Sequence, residues 1–171
     1  MATLKPVFYF TLLVFLWFAC ENRPHRKKPS PNIAQETYAQ VIGIVDGDTF
    51  DMLVEKSTIR VRLSAIDCPE KGQPFGKAAK NYLSELCFGK KVRWEEQSKD
   101  RNKRSVCYVY LEDGRCVNHE MVRAGYAWNH VKYSKDPLLP VLEEEARNQK
   151  LGLWVDQEPI PPWAWRKKGK E

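Results

Sequence analysis

The chain of 171 residues has no C-x-x-C pair and only three histidines, none of them at a ligand-like spacing. Nothing therefore points to a zinc site. It has no internal repeat, which sets aside solenoids and propellers, and its strands and helices do not alternate in the βαβ order of a doubly wound sheet. It also lacks a long apolar run: Val7 to Ala19, broken only by Thr11, is too short for a comfortable membrane span. Nor does the central stretch carry excess charge of one sign. Residues 37–165 hold 19 Lys+Arg and 19 Asp+Glu, so the net +6 comes from the flanks. A global basic field is thus not the reason to expect a polyanionic partner; any such attraction must be local.

What is present is a chain with 43% hydrophobic and 12% aromatic residues, enough for a packed core and unlike a disordered chain. The apolar run behind Lys5 suits the hydrophobic stretch of a signal peptide. It ends Trp17-Phe-Ala-Cys20, which resembles a bacterial lipoprotein cleavage site, although Trp17 replaces the usual aliphatic residue. Residues 1–19 are therefore expected to be a signal peptide with Cys20 lipidated as the first mature residue. An ordinary secretory signal or an uncleaved anchor is the alternative. Residues 20–36, polar and proline-rich, read as a flexible basic tether. The expected product is exported, either anchored in a bacterial cell envelope or secreted. In an exported chain the remaining Cys68, Cys87, Cys107 and Cys116 permit two disulfides in three connectivities, with buried free thiols as the alternative.

The folded part, 37–157, gives strands first. Gln40–Val45 is rich in β-branched residues, and Thr49–Val54 follows after a tight Asp46-Gly-Asp turn. Thr58–Leu63 alternates, with Ile59, Val61 and Leu63 on one face and Arg60 and Arg62 on the other. Between Phe75 and Cys87 the apolar positions recur at helical spacing, and Gly89 stops the helix. Lys91–Glu95 and Ser105–Leu111 are further strands, and Arg115–Val117 is expected to complete a hairpin across Asp113-Gly114. A helix from Asn118, an N-cap residue type, to Gly125 and another over Leu138–Lys150 complete the domain. This order, of about five strands and three helices, predicts an α+β, mainly β, fold and favours a small closed barrel over a doubly wound sheet. Residues 158–171 form a basic tail containing prolines and tryptophans, in which Trp163 and Trp165 are expected to dock on the barrel.

The residues that carry chemistry lie in three blocks: Asp46-Gly-Asp-Thr49, Arg62-Leu-Ser-Ala-Ile-Asp-Cys-Pro-Glu70 and Asp100-Arg-Asn-Lys-Arg104. Carboxylates and guanidiniums in such a grouping can surround a hard cation and a small anion, of which a phosphodiester undergoing cleavage is the most demanding. Each block alone is unremarkable, since Asp-Gly-Asp-Thr is most often only a turn.

Together with Pro74-Phe-Gly-x-x-Ala79, Tyr108-Val-Tyr, Asp113-Gly and Val117-Asn-x-x-Met-Val-Arg-x-Gly-x-Ala127, the blocks resemble the thermonuclease (staphylococcal nuclease-like) family in order and spacing, from about Val41 to Trp154. The resemblance implies a five-stranded OB-type barrel with three α-helices and a calcium-dependent endonuclease, magnesium remaining an alternative, which hydrolyses DNA or RNA by in-line attack of a metal-bound water. It makes Asp48, Asp67 and the Cys68 carbonyl the metal ligands. Arg62 and Arg104 become the catalytic arginines, and Glu70 stands by the water as base or orienter. Arg101 and Tyr133 become substrate contacts. Two departures weaken the expected grip on a terminal phosphate. Asn102-Lys103 stands where the family commonly has Tyr-Gly, and Val131 replaces a second tyrosine. The chain is expected to act as a monomer on nucleic acid, with an N-terminal membrane anchor. Alternatives are an OB-type nucleic-acid-binding module without catalysis or an anchored envelope protein with a structural role.

Overall fold

The computed structural model describes residues 38–168. The signal segment, Cys20 and the tether lie outside the described residues. Five strands close into a barrel in the order β1 (Tyr38–Ile44), β2 (Thr49–Val54), β3 (Ser57–Leu63), β6 (Ser105–Leu111), β5 (Lys91–Lys99) and back to β1. All neighbours are antiparallel except β3 and β6, which run parallel through Val61↔Ser105 and Leu63↔Cys107. This is the OB-type barrel with its edges closed. Burial follows the two-residue period of the strands: along β6 every second residue, from Ser105 to Leu111, is buried. Val41, Phe50, Met52, Val61, Leu63, Val92 and Val109 fill the interior. Each such side chain contributes on the order of 1.5–3 kcal/mol by leaving water.

The helices α1 (Gly76–Cys87), α2 (Val117–Arg123) and α3 (Leu138–Asn148) cover the barrel with Ala79, Leu83, Met121, Val122, Leu139 and Leu142. A short ribbon of β4 (Ile66–Asp67) and β7 (Trp128–Asn129) pairs Asp67 with Trp128. Around Trp128 lies a second, smaller core of Ala146, Leu153 and Trp154, with Phe75 and Trp163 packed against it. Trp128 and Trp154 meet edge to face, with ring centroids 4.4 Å apart.

The structure departs from the sequence reading in four places. A fourth helix, α4 (Pro162–Lys168), forms in the tail. Strand β5 runs on to Lys99, beyond the expected Glu95; its outer half is exposed and polar, so it carries no alternating signal. Arg115–Val117 is no strand. Only an isolated Tyr110↔Cys116 bridge forms, and Val117 already opens α2. Asn118 does not cap that helix. It is fully buried, accepts the Val109 N–H (3.1 Å) and donates to the carbonyls of Ser64 (2.9 Å) and Cys107 (3.1 Å). These backbone groups lie where the β3–β6 pairing ends, and the amide satisfies them away from water. Cys68, Cys87, Cys107 and Cys116 are all buried free thiols, so none of the possible disulfides among them forms.

Candidate active site

The site begins at the turn between β1 and β2. The Asp48 N–H donates to Asp46 Oδ1 (3.1 Å), and Val45 N–H to the Thr49 carbonyl (2.9 Å), a tight reversal that directs Asp48 toward the neighbouring strand. Gly47 is required there. A Cβ on it would lie 2.8 Å from the side chains of both Ala79 and Cys68. Across the β2–β3 register Thr49 faces Arg62, and Arg62 bridges two buried carboxylates, with Nη1 2.8 Å from Asp48 Oδ1 and Nη2 2.9 Å from Asp67 Oδ1. The Cys68 N–H donates to Asp48 Oδ2 (3.2 Å), and its thiol is turned onto the Gly47 carbonyl.

Asp48 is 4% exposed and Asp67 0%. Burial pushes the Asp48 carboxyl up to about 7, Asp46 and Asp67 add to the rise, and Arg62 and the Cys68 N–H oppose it. For Arg62 burial works against the charge, but Asp48 and Asp67 outweigh it and hold the guanidinium above its ordinary value.

Arg104 reaches the same edge from the β5–β6 loop. Asp100 Oδ1 accepts the N–H groups of Asn102 (2.9 Å) and Arg104 (3.0 Å), while Oδ2 takes Arg104 Nε at 2.8 Å. Arg104 Nη1 then lies 3.3 Å from Thr49 Oγ1, which itself donates to Asp48 Oδ1 (3.0 Å). Lys103 in this loop has φ = +63°, a left-handed backbone that costs a non-glycine residue on the order of 1 kcal/mol. Glu70 follows β4 on a turn in which its N–H donates to Gln73 Oε1 (3.0 Å).

Asp48, Arg62, Glu70 and Arg104 line a cleft of about 1210 Å³ that also includes Arg101 and Tyr133. Tyr133 is 66% exposed with its ring centroid 4.7 Å from that of His130, and Val131, two residues before it, is 75% exposed. Asp48, Arg62, Glu70 and Arg104 thus share the cleft with Arg101 and Tyr133, and the buried Asp67 is joined to it through Arg62.

Sequence reasoning missed two features. His119 pairs with Asp136 (2.7 Å) on the cleft wall. Arg166, on α4, sends Nη2 to within 2.6 Å of Asp67 Oδ2 and hydrogen-bonds Glu70 through Nη1. A single arginine in a basic tail gives no pattern by which either partner could be foreseen. Trp163 does dock, with ring centroids 5.7 Å from Trp128 and 5.2 Å from His130.

Among the described residues no three His, Cys, Asp or Glu side chains form a ready ligand cluster. The donors at hand are two buried carboxylates and backbone oxygens, with the nearby sulfur engaged elsewhere. That set fits a hard, oxygen-seeking cation completed by water, such as calcium or magnesium, and does not fit zinc.

A closed OB-type barrel bearing buried carboxylates and arginines at the mouth of an open cleft defines a class of proteins that handle phosphodiesters on a rigid β scaffold. The family model described as "Staphylococcal nuclease homologue" matches residues 60–156, and the chain belongs to that family. Over 136 residues it is 43% identical to a protein of Escherichia coli O157:H7 named uncharacterized endonuclease, covering 80% of this chain and 89% of the relative. It is 42% identical over 141 residues to a protein of Shigella flexneri named micrococcal nuclease, covering 77% of this chain and 81% of the relative. A Haemophilus influenzae protein named uncharacterized endonuclease is 40% identical over 137 residues, covering 80% and 76%.

Proposed function

We propose that this chain is an endonuclease that hydrolyses phosphodiester bonds of DNA or RNA with the help of a calcium ion held at Asp48 and Asp67. The observation that carries the reading is the convergence of Asp48, Asp67, Arg62 and Arg104 on one edge of β2, through contacts of 2.8–3.3 Å. Family membership and the nuclease names of the relatives support it. Asp48, Asp67 and the Cys68 carbonyl supply the oxygens for the cation, which would polarise the phosphate. Arg62 and Arg104 face the non-bridging oxygens, whose charge rises as water adds to phosphorus and the opposite P–O bond breaks. Guanidiniums fixed before the reaction stabilise that charge more than the ground state. Glu70, in the same cleft, would accept a hydrogen bond from the attacking water and take the proton that the water loses on bonding to phosphorus, while the departing oxygen gains a proton from solvent. Arg101 and Tyr133 extend the wall along which the nucleotide lies.

The apolar segment Val7–Ala19 and Cys20 support a further element of the reading, export with lipid attachment at the N-terminus. The experiment is cleavage of single-stranded DNA by the full chain in calcium, with and without chelator. Cleavage should vanish with chelator and fall by about a hundred- to thousandfold in Arg104→Ala. Chelator-resistant cleavage would refute the cation, and binding without cleavage would turn the assignment toward a nucleic-acid-binding module.

A further inference from the structure

The tail helix lies beyond residue 156, where the family match ends, yet it is built into the site. Gln73 is 6% exposed and works in both directions: its Oε1 takes the Glu70 N–H, and its Nε2 donates to the Ile160 carbonyl at 2.6 Å. Pro162 is buried and Trp163 rests on Trp128 and His130. With α4 anchored in this way, Arg166 forms a fork on Asp67, with Nη2 at 2.6 Å from Oδ2 and Nη1 at 3.3 Å from Oδ1, and Nη1 also reaches Glu70.

The charges around this point give the arrangement a direction. With every carboxylate ionised, Asp48, Asp67 and Glu70 carry three negative charges against the two positive charges of Arg62 and Arg166, a formal balance of minus one. A divalent cation on Asp48 and Asp67 would turn it to plus one, which attracts a phosphodiester. Without Arg166 the same two states would be minus two and zero: a stronger pull on the cation and a weaker one on the substrate.

We propose that Arg166 is a third substrate-binding guanidinium of this site, one that gives up its fork on Asp67 to the cation and turns to the phosphodiester. The inference rests on the proposed nuclease reading. It assigns the tail a place in the working site and makes cation and phosphate binding oppose each other through one side chain. Arg166 is 41% exposed in its side chain and belongs to neither hydrophobic core, so replacing it leaves the cores intact.

The test uses the full-length chain and its Arg166→Gln and Arg166→Lys variants. Calcium binding is measured by calorimetry without nucleic acid. Binding of a labelled phosphorothioate oligodeoxynucleotide, which resists hydrolysis, is measured by anisotropy at saturating calcium. Arg166→Gln should bind calcium several-fold more tightly and the oligonucleotide about tenfold more weakly, a change of roughly 1.4 kcal/mol. Arg166→Lys, which keeps the charge but loses the fork, should fall between. Identical affinities in wild type and Arg166→Gln, or shifts in the same direction, would overturn this inference alone. A wild-type chain that binds no calcium would overturn it together with the nuclease reading.

Discussion

Replacing Arg62 by glutamine should destabilise the fold in a way that depends on pH in a particular sense. Arg62 bridges Asp48 and Asp67, and in chelator nothing else offsets the charge of Asp48 as strongly. Burial already pushes the Asp48 carboxyl from its ordinary 3.8 to about 7 in the folded chain. A carboxyl with a raised folded value favours the native state in acid and loses that contribution as pH rises from the unfolded value to the folded one. For the wild type the loss is complete just above pH 7. Without Arg62 the folded value climbs further, so the variant continues to lose stability where the wild type has levelled off. Above about pH 7 the extra loss grows by at most about 1.36 kcal/mol per pH unit until the variant's carboxyl is itself ionised. For a domain of this size that is at most about 5 °C in Tm per pH unit. Asp67 retains Arg166, which confines the added strain to Asp48. Thermal melts of both proteins in chelator should show a gap that is small near about pH 6 and widens steadily above pH 7. A gap that is constant with pH, or that narrows in base, would refute the electrostatic account of Asp48.

Lys103→Gly should stabilise the chain by about 0.5–1 kcal/mol in urea denaturation, because φ = +63° is free of strain for glycine; no gain would show that the loop holds Lys103 by contacts of its own. Adding Asn102→Tyr to that change should raise affinity for an oligonucleotide ending in a phosphate several-fold, measured by anisotropy in calcium, whereas unchanged affinity would separate this loop from substrate binding. His119 is raised to about 9 by the neighbouring Cys116 sulfur and then by Asp136, so its contribution is complete below about pH 6.5 and is lost as pH rises toward about 9. Urea titrations of His119→Gln should accordingly show a shallower decline over that window than the wild type. Burial also holds the thiols of Cys87 and Cys107 up to about 12. In a Cys20→Ser chain a thiol reagent should therefore label nothing in the native state and four cysteines in denaturant; rapid native labelling would contradict the packing.

Much of the barrel was legible because its strands carry their burial in their spelling. Ile59, Val61 and Leu63 alternate with Arg60 and Arg62, and the structure puts the last two outside the core. Alternation could not reveal the outer half of β5, where both faces are wet, nor the role of Asn118. A polar residue before an apolar turn looks like a cap from sequence alone. Its true partners, Ser64 and Cys107, are 54 and 11 residues away, and only the closed barrel brings them together. The acidic and arginine blocks were visible as blocks, yet their pairing was not. That Arg62 would span both aspartates follows from the Thr49↔Arg62 register and from the β4–β7 ribbon that seats Asp67 beside Trp128. Arg166 was invisible for the same reason: 99 residues separate it from Asp67, and the link is made by a docked tryptophan and a buried glutamine.

The double grip of Gln73 bears on where this molecule ends in practice. A recombinant version trimmed at residue 156, where the family match ends, would keep every barrel strand and still lose Arg166 from its working cleft, together with the Trp163 that packs on the smaller core. Fusions at the carboxyl end deserve the same caution, since a bulky partner attached there would sit a few residues from Arg166.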